Sequence, residues 1–404
     1  MAPGFGSGDM SHQVAILGVG MHPWGKWGRN FVDYGVKAAR DALADAGVPW
    51  ADIDFVAGAN TMRCGYPGYV SGATFAQALG WSGARIASCY AACASGSQAL
   101  DTARAQILAG LADVVLVVGA DTTPKGFLAP QKGDRPDDPD WLRFRLHGAT
   151  NPVYFALHAR RRIELYGTTD EDIAEVRVKN GKNGLHNPYA RYRKEFTLEE
   201  VLESPLVSDP LRLYEICATS DGGAAIVVAS MDYAKRLQKN PVTIEAISTI
   251  TPTFPSTQLE MPDLATDSAA SVPAPDMNFQ PAIINAAYSE AGIGPDDLSL
   301  AEVYDLSTSM ELDWYESLQL CPPGDGQKLL RDGDTYIGGR IPVNASGGLS
   351  CFGEAVPAQA LAQVCELTWQ LRGEAGERQV ENATHGITAN VGLFGHGSSV
   401  IVKS

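Results

Sequence analysis

Four side chains stand out for chemistry: a cysteine at the head of an apparent helix, a phenol, a carboxylate and a histidine between glycines. Cys93 opens the run Cys93-Ala94-Ser95-Gly96-Ser97-Gln98-Ala99-Leu100. Backbone amides at a helix N-terminus favour an anion, so a thiol placed there is expected to have a lowered pKa. Tyr304 begins Tyr304-Asp305-Leu306-Ser307, and Glu354 stands in Gly353-Glu354-Ala355. A phenol and a carboxylate form a workable general acid–base pair. A glutamate beside a thiol, by contrast, discourages the thiolate through like-charge repulsion. His396 lies in Gly395-His396-Gly397, soon after Asn390, and is a further candidate. Gly347-Gly348 lacks side chains that would keep backbone amides away from a substrate oxygen. Each candidate has a plainer alternative. Tyr304 can be a core tyrosine with a satisfied hydroxyl, Glu354 a helix-start carboxylate, Cys93 a pocket-lining relic and His396 a structural residue.

The elements that must position these groups alternate between strands and helices. Val14–Gly20, Ile53–Ala59 and Asp113–Gly119 are short apolar runs of strand type. Phe31–Ala46 has apolar residues at helical spacing and stops at Gly47, and Ser95–Ala109 is a second helix that stops at Gly110. Such alternation predicts an α/β fold with buried sheets. The pattern occurs twice. Ala39–Val56 and Asn285–Val303 each read as helix, Ala-Gly stop, aspartate-containing turn and strand, with Gly47 matching Gly292. Cys93–Gly110 and Ser346–Gln363 are both glycine- and serine-rich turns leading into a helix. Two such pairs in the same order predict duplicated halves, residues 10–240 and 241–404. Residues 122–209 have no counterpart of equal length and read as an insertion over the first half, including a helix at Asn151–Tyr166. Thr219–Gly223 is expected to turn near the pocket floor.

Bulk properties narrow the function. The 404 residues are 45% hydrophobic, enough for one large core or two domains. No run of about 18 apolar residues is present, so no membrane span is expected. Residues 1–9 lack a signal-peptide pattern and read as an added leader before Met10. Seven scattered cysteines, at positions 64, 89, 93, 217, 321, 351 and 365, point to a reducing cytoplasm. None groups with histidine at zinc-ligand spacing. The net charge of −16 argues against nucleic-acid binding. However, 14 of the 31 Lys and Arg lie between Lys125 and Lys194. That cluster is either a solvated face or a surface for a polyanionic ligand or an acidic partner.

Ordered motifs carry a family likeness from about Val14 to Val402. They are CASGSQAL at 93–100, Ile293-Gly-Pro-Asp-Asp-Leu298, Asn344-Ala-Ser-Gly-Gly-Leu349 and Asn390-Val-Gly-Leu-Phe-Gly395. The chain resembles the thiolase superfamily, and within it the sterol-carrier-protein-type thiolases and lipid-transfer proteins. The resemblance implies two similar halves in five layers, αβαβα, with an inserted loop domain. It also implies a homodimer, for which the run Ala84–Ala92 is a suitable sheet edge. It puts the nucleophilic cysteine at Cys93, and places Asp305, Ser307, Asn344, Gly347, Gly348 and Asn390 around the substrate.

Two departures matter. The branch's His-Asp-Cys-Phe is Tyr304-Asp305-Leu306-Ser307 here, and its Gly-His-Pro is Gly353-Glu354-Ala355. The histidine that would activate Cys93 is therefore a carboxylic acid, and no second cysteine base stands at Leu306. The remaining set resembles the steroid side-chain aldolases built on this fold. These cleave a β-hydroxyacyl-CoA of the 17-hydroxy steroid-20-carboxyl-CoA type to a 17-ketosteroid and propionyl-CoA. The resemblance implies no cofactor in this chain, CoA being part of the substrate. It implies a DUF35 partner with an OB-fold and zinc ribbon, giving a heterotetramer with any zinc in the partner. Two other readings remain open: a 3-ketoacyl-CoA thiolase using Cys93, and a non-catalytic acyl-CoA- or lipid-binding subunit.

Overall fold

The computed structural model describes residues 13–59, 70–124, 151–237, 239, 241–251, 279–392 and 396–404. The proposed leader, Cys64 and the basic residues from Lys125 to Arg145 lie outside these residues. The first half supplies β1 (Val14–Gly25), α1 (Phe31–Ala46), β2 (Phe55–Ala59), α2 (Ser71–Leu79), β3 (Arg85–Cys89), α3 (Ser95–Leu108) and β4 (Val114–Thr122). Then come α4 (Asn151–Tyr166), α5 (Asp170–Leu185), α6 (Leu198–Leu202), β5 (Leu206–Ser208), β6 (Leu211–Arg212), β7 (Asp221–Ser230) and α7 (Met231–Arg236). The second half supplies β8 (Val242–Ile250), α8 (Phe279–Ala291), β9 (Leu300–Val303), α9 (Thr308–Ser317) and α10 (Gly326–Arg331). It ends with α11 (Gly348–Phe352), α12 (Gln359–Arg372), β10 (His385–Gly392) and β11 (His396–Lys403).

The duplication is visible in the sheet. Strand order is β3-β2-β4-β7-β1-β8-β11-β10-β9. Read outward from the centre, β1-β7-β4-β2 matches β8-β11-β10-β9. The pairings match as well: antiparallel, antiparallel, then parallel in each half. The two half-sheets, expected as separate layers, are also joined edge to edge, where Val14, Ala15 and Ile16 pair antiparallel with Ile244, Thr243 and Val242. Each first strand thus has its outer edge covered by the other half's equivalent. The matching helix stops are also present: Gly47 and Gly292 both take left-handed φ, +64° and +68°.

The helices complete five layers. α1 and α2 cover one face of the first-half strands, with Ala38, Ala42 and Phe75 packed around Leu116 and Val118 of β4. α3 and α12 fill the middle, packing Leu100 and Ala103 with Leu361, Val364 and Leu367 against strands from both halves. The two central helices approach closely at Gly96, where a Cβ would come within 2.9 Å of the Leu361 side chain. On the far side, α8 and α9 cover the second-half strands through Ile283, Ile284 and Leu312.

The described part of the insertion touches the first half, where Trp24 N donates to Tyr189 O at 2.9 Å, but it also reaches the second, where its buried cations find carboxylates. Arg162 of α4 donates to Asp313 at 2.7 Å and Glu316 at 2.5 Å. Lys179 of α5 pairs with Glu311, both fully buried, and donates to Val343 O at 2.7 Å. Glu311 also accepts from Asn180 at 2.6 Å, Asn344 at 2.8 Å and Tyr315 at 2.5 Å. Part of the basic stretch is therefore internal glue rather than a solvated face. A buried pair of this kind depends on both members. Lys179→Met leaves Glu311 without its cation and should lower the unfolding free energy by about 3–5 kcal/mol. Urea denaturation measures this, and adding Glu311→Gln should recover part of the loss.

Candidate active site

The candidate groups converge where the two central helices begin. Cys93 sits in a 3-10 turn, Ala92–Ala94, just before α3. Ala92 has φ +43°, and the bend is held by Ser95, whose Oγ accepts from Ala91 N at 2.9 Å and donates to Ala92 O at 2.6 Å. Tyr304 follows β9, and its carbonyl accepts from Trp314 Nε1 at 3.1 Å. Glu354 lies between α11 and α12, after Gly353 at φ +72°. A Cβ at Gly353 would meet Ser220 Oγ at 2.4 Å and Ala218 O at 2.6 Å, so glycine is required there.

One carboxylate oxygen ties the three side chains together. Glu354 Oε1 accepts from Tyr304 OH at 2.7 Å and from Cys93 Sγ at 3.1 Å. All three residues are buried. Burial pushes the Glu354 carboxyl up, opposed by those two hydrogen bonds. Burial also pushes the Cys93 thiol well up, with the Glu354 charge next in effect. The Tyr304 phenol moves well up for the same first reason, aided by Cys93 and Glu354. The lowered thiol pKa anticipated from the helix terminus is thus overturned. Loss of solvent and a neighbouring carboxylate outweigh the terminal amides.

Backbone around the trio comes from a strip that precedes β7. Cys217 N donates to Leu306 O at 2.9 Å, and Ile216 pairs with Ser307. Glu354 N donates to Ala218 O at 2.6 Å, and Ser220 N donates to Glu354 O at 2.8 Å. Arg191 of the insertion donates to Thr219 O at 2.6 Å. The expected turn at Thr219–Gly223 is in part this strip, with β7 already under way at Asp221.

Comparison with known proteins identifies the family. The model for the thiolase N-terminal domain matches residues 14–232, and that for the thiolase C-terminal domain-like family matches 264–404. The chain belongs to the thiolase family. It is 35% identical over 402 residues to sterol carrier protein 2 from Gallus gallus, covering 96% of this chain and 71% of that protein. It is 34% identical over 412 residues to an acetyl-CoA acetyltransferase from Methanothermobacter thermautotrophicus, covering 97% and 99%. Among solved structures it is similar to the Ltp2-ChsH2(DUF35) aldolase, with TM-score 0.81, 26% identity and coverage of 98% and 99%. Human mitochondrial 3-ketoacyl-CoA thiolase shares the fold, at TM-score 0.69 and 17% identity over 98% of this chain and 100% of that one.

The other residues singled out from this thiolase-family sequence occupy different roles. Asp305 is buried and accepts from Leu349 N at 2.7 Å, Ser350 N at 3.0 Å and Ser350 Oγ at 2.7 Å. Burial pushes its carboxyl up, with Glu311 adding to the effect. Asn344 accepts from Val303 N at 2.8 Å and donates to Glu311. Ser307 is hydrogen-bonded to Ser309, 3.0 Å away. The Gly347 amide donates to Asn344 O at 2.9 Å and the Gly348 amide to Ser346 Oγ at 3.1 Å. Both amides therefore serve the protein rather than facing a substrate oxygen. Asn390 donates to Gln363, and His396 Nε2 contacts Ala91 O, beside the Cys93 turn but apart from the acid–base trio.

Sequence reasoning missed Cys217. It is half-buried, and its thiol is also pushed well up by burial and by Glu354. Its only local signal was its place just before the Thr219–Gly223 turn. Among the described residues the six cysteines are unpaired, and no helix is long and apolar enough to cross a membrane. The Glu354 charge is a direct cause of the high Cys93 pKa. Glu354→Gln should therefore move the pH midpoint of Cys93 alkylation downward. Rates of iodoacetamide labelling at Cys93, followed by peptide mass spectrometry across pH, measure the shift.

Proposed function

We propose that this chain is a retro-aldolase that cleaves a β-hydroxyacyl-CoA side chain from a steroid, giving a 17-ketosteroid and propionyl-CoA. The observation that carries the reading is the single Glu354 oxygen shared by Tyr304 and Cys93. A thiolase must turn its cysteine into an acyl acceptor, which needs the thiolate. Here the neighbour of Cys93 is an acid, and the thiol is held protonated. Retro-aldol cleavage needs no acyl-enzyme. It needs a base for the β-hydroxyl proton and an acid to return a proton to carbon.

The steps balance within those two residues. Glu354 as carboxylate takes the hydroxyl proton, directly or through the Tyr304 phenol. The oxygen lone pair closes the ketone as the bond to the α-carbon breaks. The released electron pair forms the thioester enolate, toward which the Tyr304 OH can donate a hydrogen bond. The proton then returns to the α-carbon and both residues regain their starting states. Burial suits Glu354 to this task, since a raised carboxyl pKa makes a stronger base than an exposed carboxylate.

Similarity to the Ltp2-ChsH2(DUF35) aldolase supports both the reaction class and a DUF35 partner for this chain. We extend the proposal to a homodimer formed along β3, where Arg85, Ile86 and Ser88 are exposed on the free edge of the sheet. A DUF35 protein bound to each copy would give a heterotetramer in the cytoplasm.

The decisive experiment gives the chain, with and without a DUF35 protein, a tertiary β-hydroxyacyl-CoA and measures ketone release. Tyr304→Phe should lower kcat by about 10²–10⁴-fold while the fold persists. Glu354→Gln should do likewise, and the double variant should be little worse than the poorer single one. Cys93→Ala should keep most of the turnover. An acyl group trapped on Cys93 would instead establish the 3-ketoacyl-CoA thiolase reading. No turnover in any combination would leave the acyl-CoA-binding subunit.

The pH profile is a further check. The base form of Glu354 is required, so activity falls as pH drops through its folded pKa. That pKa is raised by burial, so the acid limb of kcat/KM should lie above the ordinary glutamate value of about 4.3. Stopped assays from pH 4 to 9 locate it, and the limb should vanish from the residual activity of Glu354→Gln.

A further inference from the structure

A cavity of about 230 Å³ lies beneath the hairpin formed by β5 and β6. Phe196, Val207, Leu213 and Ile216 make much of its wall apolar. Val207 and Leu213 remain 46% and 50% exposed at the rim, beside exposed Leu206 and Tyr214. Apolar side chains exposed at the rim of a cavity suit an apolar ligand.

Two features make the cavity more than a gap under a loop. Its inner wall is the strip Ile216–Ala218, whose backbone also holds Leu306 and Glu354. Cys217 lines the cavity, is felt electrostatically by Cys93 and itself feels Glu354. Second, the wall carries Arg177, which is only 3% exposed and makes no ion pair among the described residues. Its guanidinium stacks over Phe196 at 4.2 Å and donates to Ser350 O. Its Nε has no hydrogen-bond partner among the described residues, and a buried cation in that state favours an oxygen acceptor nearby.

We propose that this cavity binds the bulky apolar body of the acyl group, a fused-ring system carrying an oxygen acceptor, with its thioester end directed past Cys217 toward Tyr304 and Glu354. The assignment rests on the acyl-CoA reading given above. Pockets that enclose a whole drug-sized ligand run to about 300–1,000 Å³. The present cavity therefore holds part of the ring body, and the rest lies against the exposed rim at Val207 and Leu213. CoA lies outside it, so selectivity for the ring resides in the hairpin.

The test compares a ring-bearing acyl-CoA with butyryl-CoA by titration calorimetry on the full chain. Leu213→Glu and Val207→Glu, both at the half-exposed rim, should each lower the affinity ratio of the two ligands by about tenfold. Circular dichroism establishes that the variants are folded. The unaltered protein gives a second readout: ring-bearing acyl-CoA should protect Cys217 from N-ethylmaleimide, whereas CoA alone should not. Equal protection by CoA alone, or an affinity ratio unchanged in both folded variants, overturns the assignment. Ring-selective binding without cleavage leaves it standing and removes the retro-aldolase reading. Cleavage with an unchanged KM in both variants does the reverse.

Discussion

Everything at this site depends on how the backbone of Glu354 is pinned. Its amide donates to Ala218 and its carbonyl accepts from Ser220. Those two bonds join the second half's turn to a strip belonging to the first half. The same strip holds Leu306 through Cys217 and Ser307 through Ile216. A short length of chain thus sets the spacing between Tyr304 and Glu354, which arrive from different loops. Gly353 permits the approach because no Cβ could fit against Ala218 and Ser220. The insertion reinforces the strip from behind through Arg191.

The interior around this junction is rich in acids. Asp305 and Glu302 are both buried and have raised carboxyl pKa values, with desolvation the first cause. Burial pushes Asp121, at the end of β4, up to about 7, with Glu354 adding to the effect. Such surroundings favour neutral groups and protonated thiols over new negative charge. Lys179 supplies a cation to this region, and Glu311 takes it, together with hydrogen bonds from Asn180, Asn344 and Tyr315. The buried network therefore fixes the frame without supplying a positive charge to Cys93.

Much of the frame was legible because its signals are local. Phe31–Ala46 and Asn151–Tyr166 occur as helices at the bounds read from periodicity, and Gly47 and Gly292 cap equivalent helices. The duplicated order of helix, glycine stop and strand recurs as the matching strand order of the two half-sheets. The meeting of Cys93, Tyr304 and Glu354 could be anticipated from motif positions, but the shared oxygen could not. What escaped was non-local. The edge pairing of β1 with β8 joins residues more than two hundred positions apart, and no local pattern announces it. Arg162 and Lys179 resemble solvent-facing cations in sequence, yet their carboxylates stand 151 and 132 residues away. Family resemblance places Asn344, Gly347 and Gly348 at the substrate, as does, for the two glycines, their lack of side chains. In the fold their polar atoms stabilise the turn itself.

If Glu354 stands where the family resemblance implies a histidine, the sign of the charge that the site can offer is changed. An imidazole can accept the thiol proton and then stabilise the thiolate as a cation. A carboxylate that took the same proton would become neutral and leave a buried thiolate without a counter-ion, next to Tyr304 and in an interior that already holds Asp305 and Glu302. That state is unfavourable by desolvation alone. The same carboxylate can take a proton from a neutral hydroxyl if a carbon–carbon bond breaks at once and carries the charge into a thioester enolate. The negative charge then sits on the substrate, at the end of a phenol's hydrogen bond. In the proposed reading, Tyr304, Leu306 and Glu354 together disfavour acyl transfer through Cys93 and favour proton transfer through the phenol and the carboxylate.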